Sequence, residues 1–322
     1  MKGVGTEAAG LRSRGTGRGG GGAGSVTGMR ILIAGASGLI GTALQDDLLL
    51  GGHEIRTLVR REPRDGTEYL WQPAEGQLPA EAVAWADGVV SLSGAPLGRL
   101  PWTQKYRREI YFSRVTATRT IARAIAAAED PPRVWVSGSA TGYYGHRPGE
   151  VLTEDSPAGD GFLAGVVTRW ERATARADDV TRVVHVRTGL VMADGGALAP
   201  LQLATRLGAG STIGTGRQQW PWISLTDEAR AIVHLLAHSE LAGPVNLTGP
   251  QPATSGEITR ALARSMHRPH VFRLPTWLLR LVLGEPAEEM LLPDQLIVPA
   301  RLQADGFVFT HPTAEEAVAA AV

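Results

Sequence analysis

The chain has 322 residues, 43% of them hydrophobic, with 32 basic and 32 acidic side chains and no cysteine. That length supplies a sizeable core and suits one large α/β domain with a smaller appendage. Zero net charge argues against nucleic acid or an anionic membrane as the main partner, and the missing cysteines exclude disulfides, thiolate catalysis and cysteine metal sites. No apolar run approaches the roughly 20 residues needed to cross a bilayer. The expectation is a cytoplasmic monomer or homodimer that handles a small molecule.

Residues 1–28 are rich in Gly, Arg and Ser, with almost nothing apolar to bury. They read as a disordered tail without the apolar core of a secretory signal. Met29 reads as the true start of the fold. From there, Ile31 to Ala34 is a short apolar run bounded by glycine, the pattern of a buried strand. Gly35-Ala36-Ser37-Gly38-Leu39-Ile40-Gly41 follows and opens a helix through Leu50. In such a turn Gly35 allows the tight reversal and Gly38 lets the backbone approach a pyrophosphate. Gly41 lets the helix pack close, and the helix N-terminus faces the phosphates with its free N–H groups.

A second strand lies within His53 to Arg61. A cofactor with a free ribose 2′-hydroxyl wants an Asp or Glu at the end of this strand, and a 2′-phosphate wants arginine. Here Val59 is followed by Arg60 and Arg61, with no carboxylate until Glu62. The pair favours NADP(H) over NAD(H), against a competing reading as two solvated loop arginines. A short strand around Tyr69 to Trp71 comes next, then another within Ala86 to Ala95. The small residues Ser93, Gly94 and Ala95 leave room for a dinucleotide at a sheet edge. Trp102 to Ala128 reads as a long amphipathic helix with Ile110, Val115, Ile121 and Ile125 on its apolar side, stopped by Asp130-Pro131-Pro132.

Val134 to Val136 is a strand running into Ser137-Gly138-Ser139-Ala140-Thr141-Gly142-Tyr143-Tyr144-Gly145. Phe162 to Asp178 reads as a helix, and Val180 to Val186 as a buried strand ending at Arg187. Gly208 to Arg217 reads as a loop and Trp220 to Leu225 as extended. Asp227 to His238 reads as a helix, Val245 to Leu247 as a strand and Ser255 to Met266 as a helix. An amphipathic segment from Trp277 to Leu283 and an Ala-rich helix from Thr313 complete the chain. Strands alternating with helices specify a parallel, doubly wound α/β sheet of about seven strands. The expected division is a Rossmann domain over 29–190, rejoined by about 218–248, and a smaller C-terminal substrate lobe formed by 191–217 and 249–322.

The glycine turn, the Ser137–Gly145 segment, Val186-Arg187-Thr188-Gly189 and Trp222-Ile223-Ser224-Leu225-Thr226-Asp227 resemble the extended short-chain dehydrogenase/reductases. Ser93-Gly94-Ala95-Pro96-Leu97, Ser113-Arg114-Val115 and Gly284-Glu285-Pro286 resemble more closely the atypical, NAD-dependent epimerase/dehydratase-like branch with a small C-terminal domain of unassigned role. The resemblance runs from Met29 onward. It implies a nicotinamide cofactor held by Gly35, Ser37, Gly38, Leu39, Ile40 and Gly41, by Arg60 and Arg61, by Ser93, Gly94 and Ala95, and by Arg114. It also implies that Ser139 orients a substrate oxygen. The superfamily's tyrosine and lysine four residues apart are absent: their register falls on Leu163 and Val167, neither of which ionises. Arg114 stands where the family carries an asparagine, and its cation is a candidate stand-in for the lysine.

Tyr143 and Tyr144 are the remaining proton carriers, with His146 and Arg147 beside them. The alternative is that both tyrosines only line the pocket. Arg187 reads either as a contact for an anionic substrate or as a partner of Glu171 or Asp227. Trp220 and Trp222 read as a cap on a ring-bearing substrate or as packed core. His234 and His238 share a helix face, but without H-E-x-x-H no metal is expected, and the lack of G-x-S-x-G around Ser139 argues against hydrolysis. The function expected is an NADP(H)-binding oxidoreductase or epimerase-like enzyme on an unidentified small molecule. The alternative is a non-catalytic NADP(H) sensor or interaction scaffold.

Overall fold

The computed structural model describes residues 1–3 and 28–322, so most of the expected tail, residues 4–27, lies outside the described residues. Seven strands build one sheet: β1 (Arg30–Ala34), β2 (Glu54–Val59), β3 (Glu68–Leu70), β4 (Gly88–Ser91), β5 (Val134–Ala140), β6 (Arg182–Thr188) and β7 (Gly243–Leu247). Their order across the sheet is 3-2-1-4-5-6-7, and every neighbouring pair is parallel. The chain reverses direction across the sheet between β1 and β4, which opens a crevice at their C-terminal ends.

Helices cover both faces, which is why the central strands read as unbroken apolar runs rather than alternating ones. On one face α1 (Leu39–Leu50) packs with Ile31, Ile33, Val136 and Val186. On the other, α2 (Gln104–Ala126) contributes Ile121 and Ile125 against Leu32, Val89 and Trp135. Successive β1 residues thus serve opposite cores, the two-residue period of a strand covered twice. Thr103 caps α2 by accepting from the Tyr106 N–H, so the helix expected from Trp102 begins at Gln104.

Two expectations need correction. The helix expected over 162–178 is α3 (Phe162–Arg172) and ends six residues early. The chain tightens there into i→i+3 bonds, Thr174 N–H to Glu171 C=O and Ala177 N–H to Thr174 C=O, while the Thr174 hydroxyl also donates to the Glu171 carbonyl. A threonine that competes for the last helical carbonyls favours such an ending. The segment 208–217 is not all loop either: Gly210–Ile213 is a strand paired in parallel with His270–Leu274.

After β6 the chain leaves the sheet, then returns through α4 (Leu225–Ala237) and β7. The excursion and the chain's end share a separate core that includes Met192, Trp220, Trp222, Ile258, Leu262 and Val318. The last fifty residues do not stay apart from the main sheet, because Leu302 and Phe307 join the core that holds Ile31 and Ile232. Among the described residues no helix is long and apolar enough to cross a membrane.

Candidate functional site

The glycine turn joins β1 to α1 at the crevice. Gly35 has φ +92°, and a Cβ there would press within 2.9 Å of the Leu92 and Ser93 backbone, so the turn is seated directly on the segment that follows β4. A Cβ on Gly41 would collide with the Gly35 carbonyl oxygen. Gly38 differs: its Cβ would meet only the Gly35 oxygen, at an ordinary 3.4 Å. Nothing inside the protein requires glycine at position 38, which leaves its bare face for a ligand. It is also the N-cap of α1, with no side-chain cap and no acid in the first turn. The positive pole of a 12-residue helix therefore faces the crevice without a counter-charge.

Ser93, Gly94 and Ala95 lie beside this turn and are braced from below by α2. Ser113 Oγ accepts from the Ala95 N–H at 3.0 Å, and Arg114 donates to the Ala95 and Ile110 carbonyls at 3.1 and 3.2 Å. The Arg114 guanidinium lies directly under Gly94 and 5.3 Å over the Trp170 ring. Burial lowers its pKa to about 10, and it forms no carboxylate pair among the described residues.

The two arginines after β2 part company. Arg61 is held by Glu68 through two bonds of 2.5 and 2.7 Å, and the hydrogen bonds from Arg61 and from the Arg64 N–H hold the Glu68 carboxyl at about 2. Arg60 is exposed and has no such partner. Of the two arginines expected to be free for a 2′-phosphate, Arg61 is thus paired with Glu68, and Arg60 has no side-chain partner among the described residues.

At the ends of β5 and β6 a polar network converges. Register pairs Ser139 with Arg187 across the two strands. Ser139 Oγ donates to Glu171 Oε1 at 2.6 Å, and Arg187 binds both Glu171 oxygens at 2.8 and 2.9 Å. Arg187 is 3% exposed. Burial works against its charge, but the Glu171 carboxylate more than offsets that and holds the guanidinium above the ordinary arginine range. Of the alternatives for Arg187, the structure selects the pair with Glu171, which leaves it little surface for a substrate.

The two tyrosines have different surroundings. Tyr144 is 0% exposed. Its hydroxyl donates to Asn246 Oδ1 at 2.7 Å and accepts from Arg187 at 2.9 Å. Burial pushes that phenol up to about 12, so the expectation that Tyr144 serves as a proton carrier meets a hydroxyl locked inside the protein. Tyr143 is half-buried, its ring 3.5 Å from the Arg187 guanidinium, and its hydroxyl has no hydrogen bond among the described residues. His146 and Arg147 turn away from both: His146 Nδ1 accepts from the Asp294 N–H, and Arg147 pairs with Glu150.

Trp220 and Trp222 are 4% and 1% exposed, with their indole N–H groups donated to the Leu291 and Gln251 carbonyls. They pack the C-terminal core rather than capping a ligand. His234 pairs with Asp305 at 2.8 Å, and no group of three metal-ligating side chains occurs among the described residues. Leu163 and Val167 are buried on α3, Leu163 in a cluster with Trp102, Ile110 and Val166.

Several participants were not singled out from the sequence. Asn246 carries the Tyr144 hydroxyl. Thr188 donates to the buried Glu228 at 2.7 Å. Glu289, from the turn Ala287–Leu291, accepts from the Phe162 and Leu163 N–H groups at 2.8 and 2.9 Å and so caps α3 from outside. Gly161, at φ +114°, makes room for it, because a Cβ there would sit 2.8 Å from the Glu289 carboxylate. Glu285 pairs with Arg107 of α2 at 2.9 Å, which accounts for the conspicuous Gly284-Glu285-Pro286.

A 3-2-1-4-5-6-7 sheet with this glycine turn and a serine at the end of β5 defines an extended protein of the short-chain dehydrogenase/reductase kind. Residues 31–248 match the NAD dependent epimerase/dehydratase family, and the chain belongs to it. Residues 274–321 match a domain of unknown function. The chain is similar to the epimerase family protein ML0860 of Mycobacterium leprae, at 40% identity over 89% of this chain and 94% of that protein. It also resembles the crystal structure of the human epimerase family protein SDR39U1 (isoform 2) with NADPH, with a TM-score of 0.83 and 32% identity over 91% of this chain and 99% of that one. The nucleoside-diphosphate sugar epimerase of Corynebacterium glutamicum matches with a TM-score of 0.76 and 29% identity, over 92% of this chain and 58% of that one.

Proposed function

We propose that this chain is an NADP(H)-dependent oxidoreductase or epimerase-like enzyme acting on a small molecule between the sheet and the lobe formed by 191–217 and 249–322. The uncapped α1 N-terminus and the bare face of Gly38 fit a pyrophosphate. Arg60 is the residue for the 2′-phosphate, Ser93 to Ala95 line the crossing, and Arg114 holds that segment in place. The cofactor in the human relative's crystal structure, NADPH, agrees with this preference, and the lack of a carboxylate at the end of β2 disfavours NAD(H). Bound there, the nicotinamide supplies a hydride donor or acceptor.

The observation that carries the catalytic reading is the convergence of Ser139, Glu171, Arg187 and Tyr143. Ser139 donates its hydroxyl hydrogen bond to Glu171, so its oxygen is left to accept from a substrate hydroxyl. Arg187 binds both Glu171 oxygens and fixes the carboxylate in place. Tyr143 has the one phenol here without an internal partner, and it is the proton carrier in this reading. Tyr144 is framework.

The test is NADPH consumption, followed at the nicotinamide absorbance band over a panel of carbonyl substrates, with Tyr143→Phe and Ser139→Ala alongside. Turnover that falls in both variants while NADPH affinity is kept supports the assignment. Tight NADPH binding with no turnover across the panel replaces it with a sensor or scaffold.

A further inference from the structure

Glu228 lies in the first turn of α4, is 0% exposed, and has a single hydrogen-bond partner. That partner is Thr188, the last residue of β6, whose hydroxyl donates to Oε1 at 2.7 Å. Oε2 has no partner among the described residues. Thr188 is half-buried at the crevice and stands level with Ala140 of β5. Its side chain points to the face of the sheet that carries α1 and α4, because it follows Val184 and Val186 by the strand period of two. The carboxyl thus lies on the α1 side of the sheet, below the C-terminal end of β6, the edge along which the proposed dinucleotide crosses.

The charged groups on the surrounding elements are engaged elsewhere. On α4 itself Asp227 is paired with Arg230. From the chain's end, His311 faces Ser224 and Asp227. On α1, Asp47 lies toward Arg230. On β6, Arg187 points to the opposite face and holds Glu171. Among the described residues no cation pairs with Glu228. A carboxylate with one neutral donor and no counter-charge is strongly disfavoured at zero exposure, so the acid keeps its proton, as its upward shift to about 8 through burial also indicates.

We infer that Glu228 is a positioning residue that fixes the Thr188 hydroxyl with its lone pairs toward the crevice, and that the dinucleotide binds only while this acid is neutral. The inference rests on the proposed NADP(H) site. When Glu228 ionises, a negative charge appears in the low-dielectric interior below the edge crossed by a ligand that is itself an anion, and like charges there are screened far less than in water. Binding NADPH at a pH where the free protein has begun to lose that proton therefore draws one proton back.

The experiment is titration calorimetry of NADPH into the full chain from pH 6.5 to 9.5, with Glu228→Gln beside the wild type. Gln keeps the acceptor for Thr188 and cannot ionise. The expected result is a wild-type dissociation constant that is flat below pH 7.5 and climbs about tenfold per unit above the acid's midpoint, with the variant flat throughout. Superimposable profiles for the two proteins overturn the inference, whereas no NADPH binding by either at any pH overturns the cofactor reading instead. Should the variant fail to fold, the wild type alone decides: at pH 8.5, in two buffers of different ionisation enthalpy, uptake approaching one proton per NADPH supports the coupling and no uptake refutes it.

Discussion

Glu289 and Leu163 are 126 positions apart in the chain, yet the Leu163 N–H donates to the Glu289 carboxylate at 2.9 Å. Phe162 does the same at 2.8 Å, so the first turn of α3 is closed by a side chain from the segment of unknown function. Helix caps are worth about 0.5–2 kcal/mol. Glu289→Ala is expected to cost about that much, to expose the Phe162–Val166 amides to hydrogen exchange, and to leave NADPH affinity unchanged. Protected amides in the variant would show that α3 does not depend on this cap.

The network at β5 and β6 should respond very differently to its members. Glu171→Ala strands the 3%-exposed Arg187, and leaving a buried charge unpaired costs about 3–5 kcal/mol. Ser139→Ala removes one hydroxyl and is expected to cost under about 1.5 kcal/mol while lowering turnover. Denaturant midpoints for the two variants decide this, and equal losses would count against the ion pair as the anchor.

The tyrosines should separate stability from activity. Tyr144→Phe removes a partner from both Asn246 and Arg187, so it is expected to destabilise by about 1–3 kcal/mol. Tyr143→Phe is expected to leave the melting temperature within a degree or two (roughly the ±0.5 kcal/mol of a surface change) and to slow turnover by about 10²–10⁴-fold. The reverse pattern would exchange their roles.

The roles of Arg60 and Arg61 are separable by cofactor. Arg60→Ala is expected to weaken NADPH by about ten- to a hundredfold, the value of one charge-assisted contact, and to leave NADH unchanged. Arg61→Ala should act mainly through the 61–68 loop that Glu68 gathers and lower both affinities alike. Selective loss of NADPH in Arg61→Ala would restore that residue to the phosphate site.

Glu228 also sets a pH dependence of stability. Burial pushes its carboxyl up to about 8, whereas an unfolded glutamate titrates near about 4.3. Between those values the unfolded chain has lost the proton and the folded chain still holds it, so stability falls as pH rises, by up to about 1.36 kcal/mol per unit. The slope ends once pH passes the folded value. Melting curves from pH 5 to 9 should show Glu228→Gln free of this slope, and parallel curves would exclude it.

Much of this was legible in the residues. Strand runs such as Ile31–Ala34 and Val134–Val136 are covered on both faces and so carry no ambiguity of period, and the glycine spacing locates the crevice between β1 and β4. Ser139 and Arg187 each stand five residues into their strands, at matching register, a coincidence the sequence holds but does not announce. What escaped were partners from far along the chain. Asn246 lies 102 positions from Tyr144, and Glu289 lies 127 from Phe162, and local periodicity has nothing to say about either. The competition of Thr174 for helix carbonyls and the capture of Arg61 by Glu68 are local, three and seven residues apart, but rest on side-chain bonds that a reading of apolar periodicity does not register.

The placement of Leu302 and Phe307 in the main core carries a consequence for synthesis. A chain emerging from the ribosome makes β1 early, but the Ala300–Ala304 helix that packs on β7 and the Phe307 ring that packs on His234 of α4 arrive only near its end. Asp227 waits equally long for the Thr310 and His311 N–H groups at 2.7 and 2.9 Å. The outer edge at β7 and the His234 end of α4 therefore stay open until late in translation, and a stop before residue 300 leaves that apolar seam uncovered, a target for chaperones and proteases. Pulse proteolysis of stalled chains of increasing length should show protection of β7 and the end of α4 arriving only after Phe307 clears the exit tunnel.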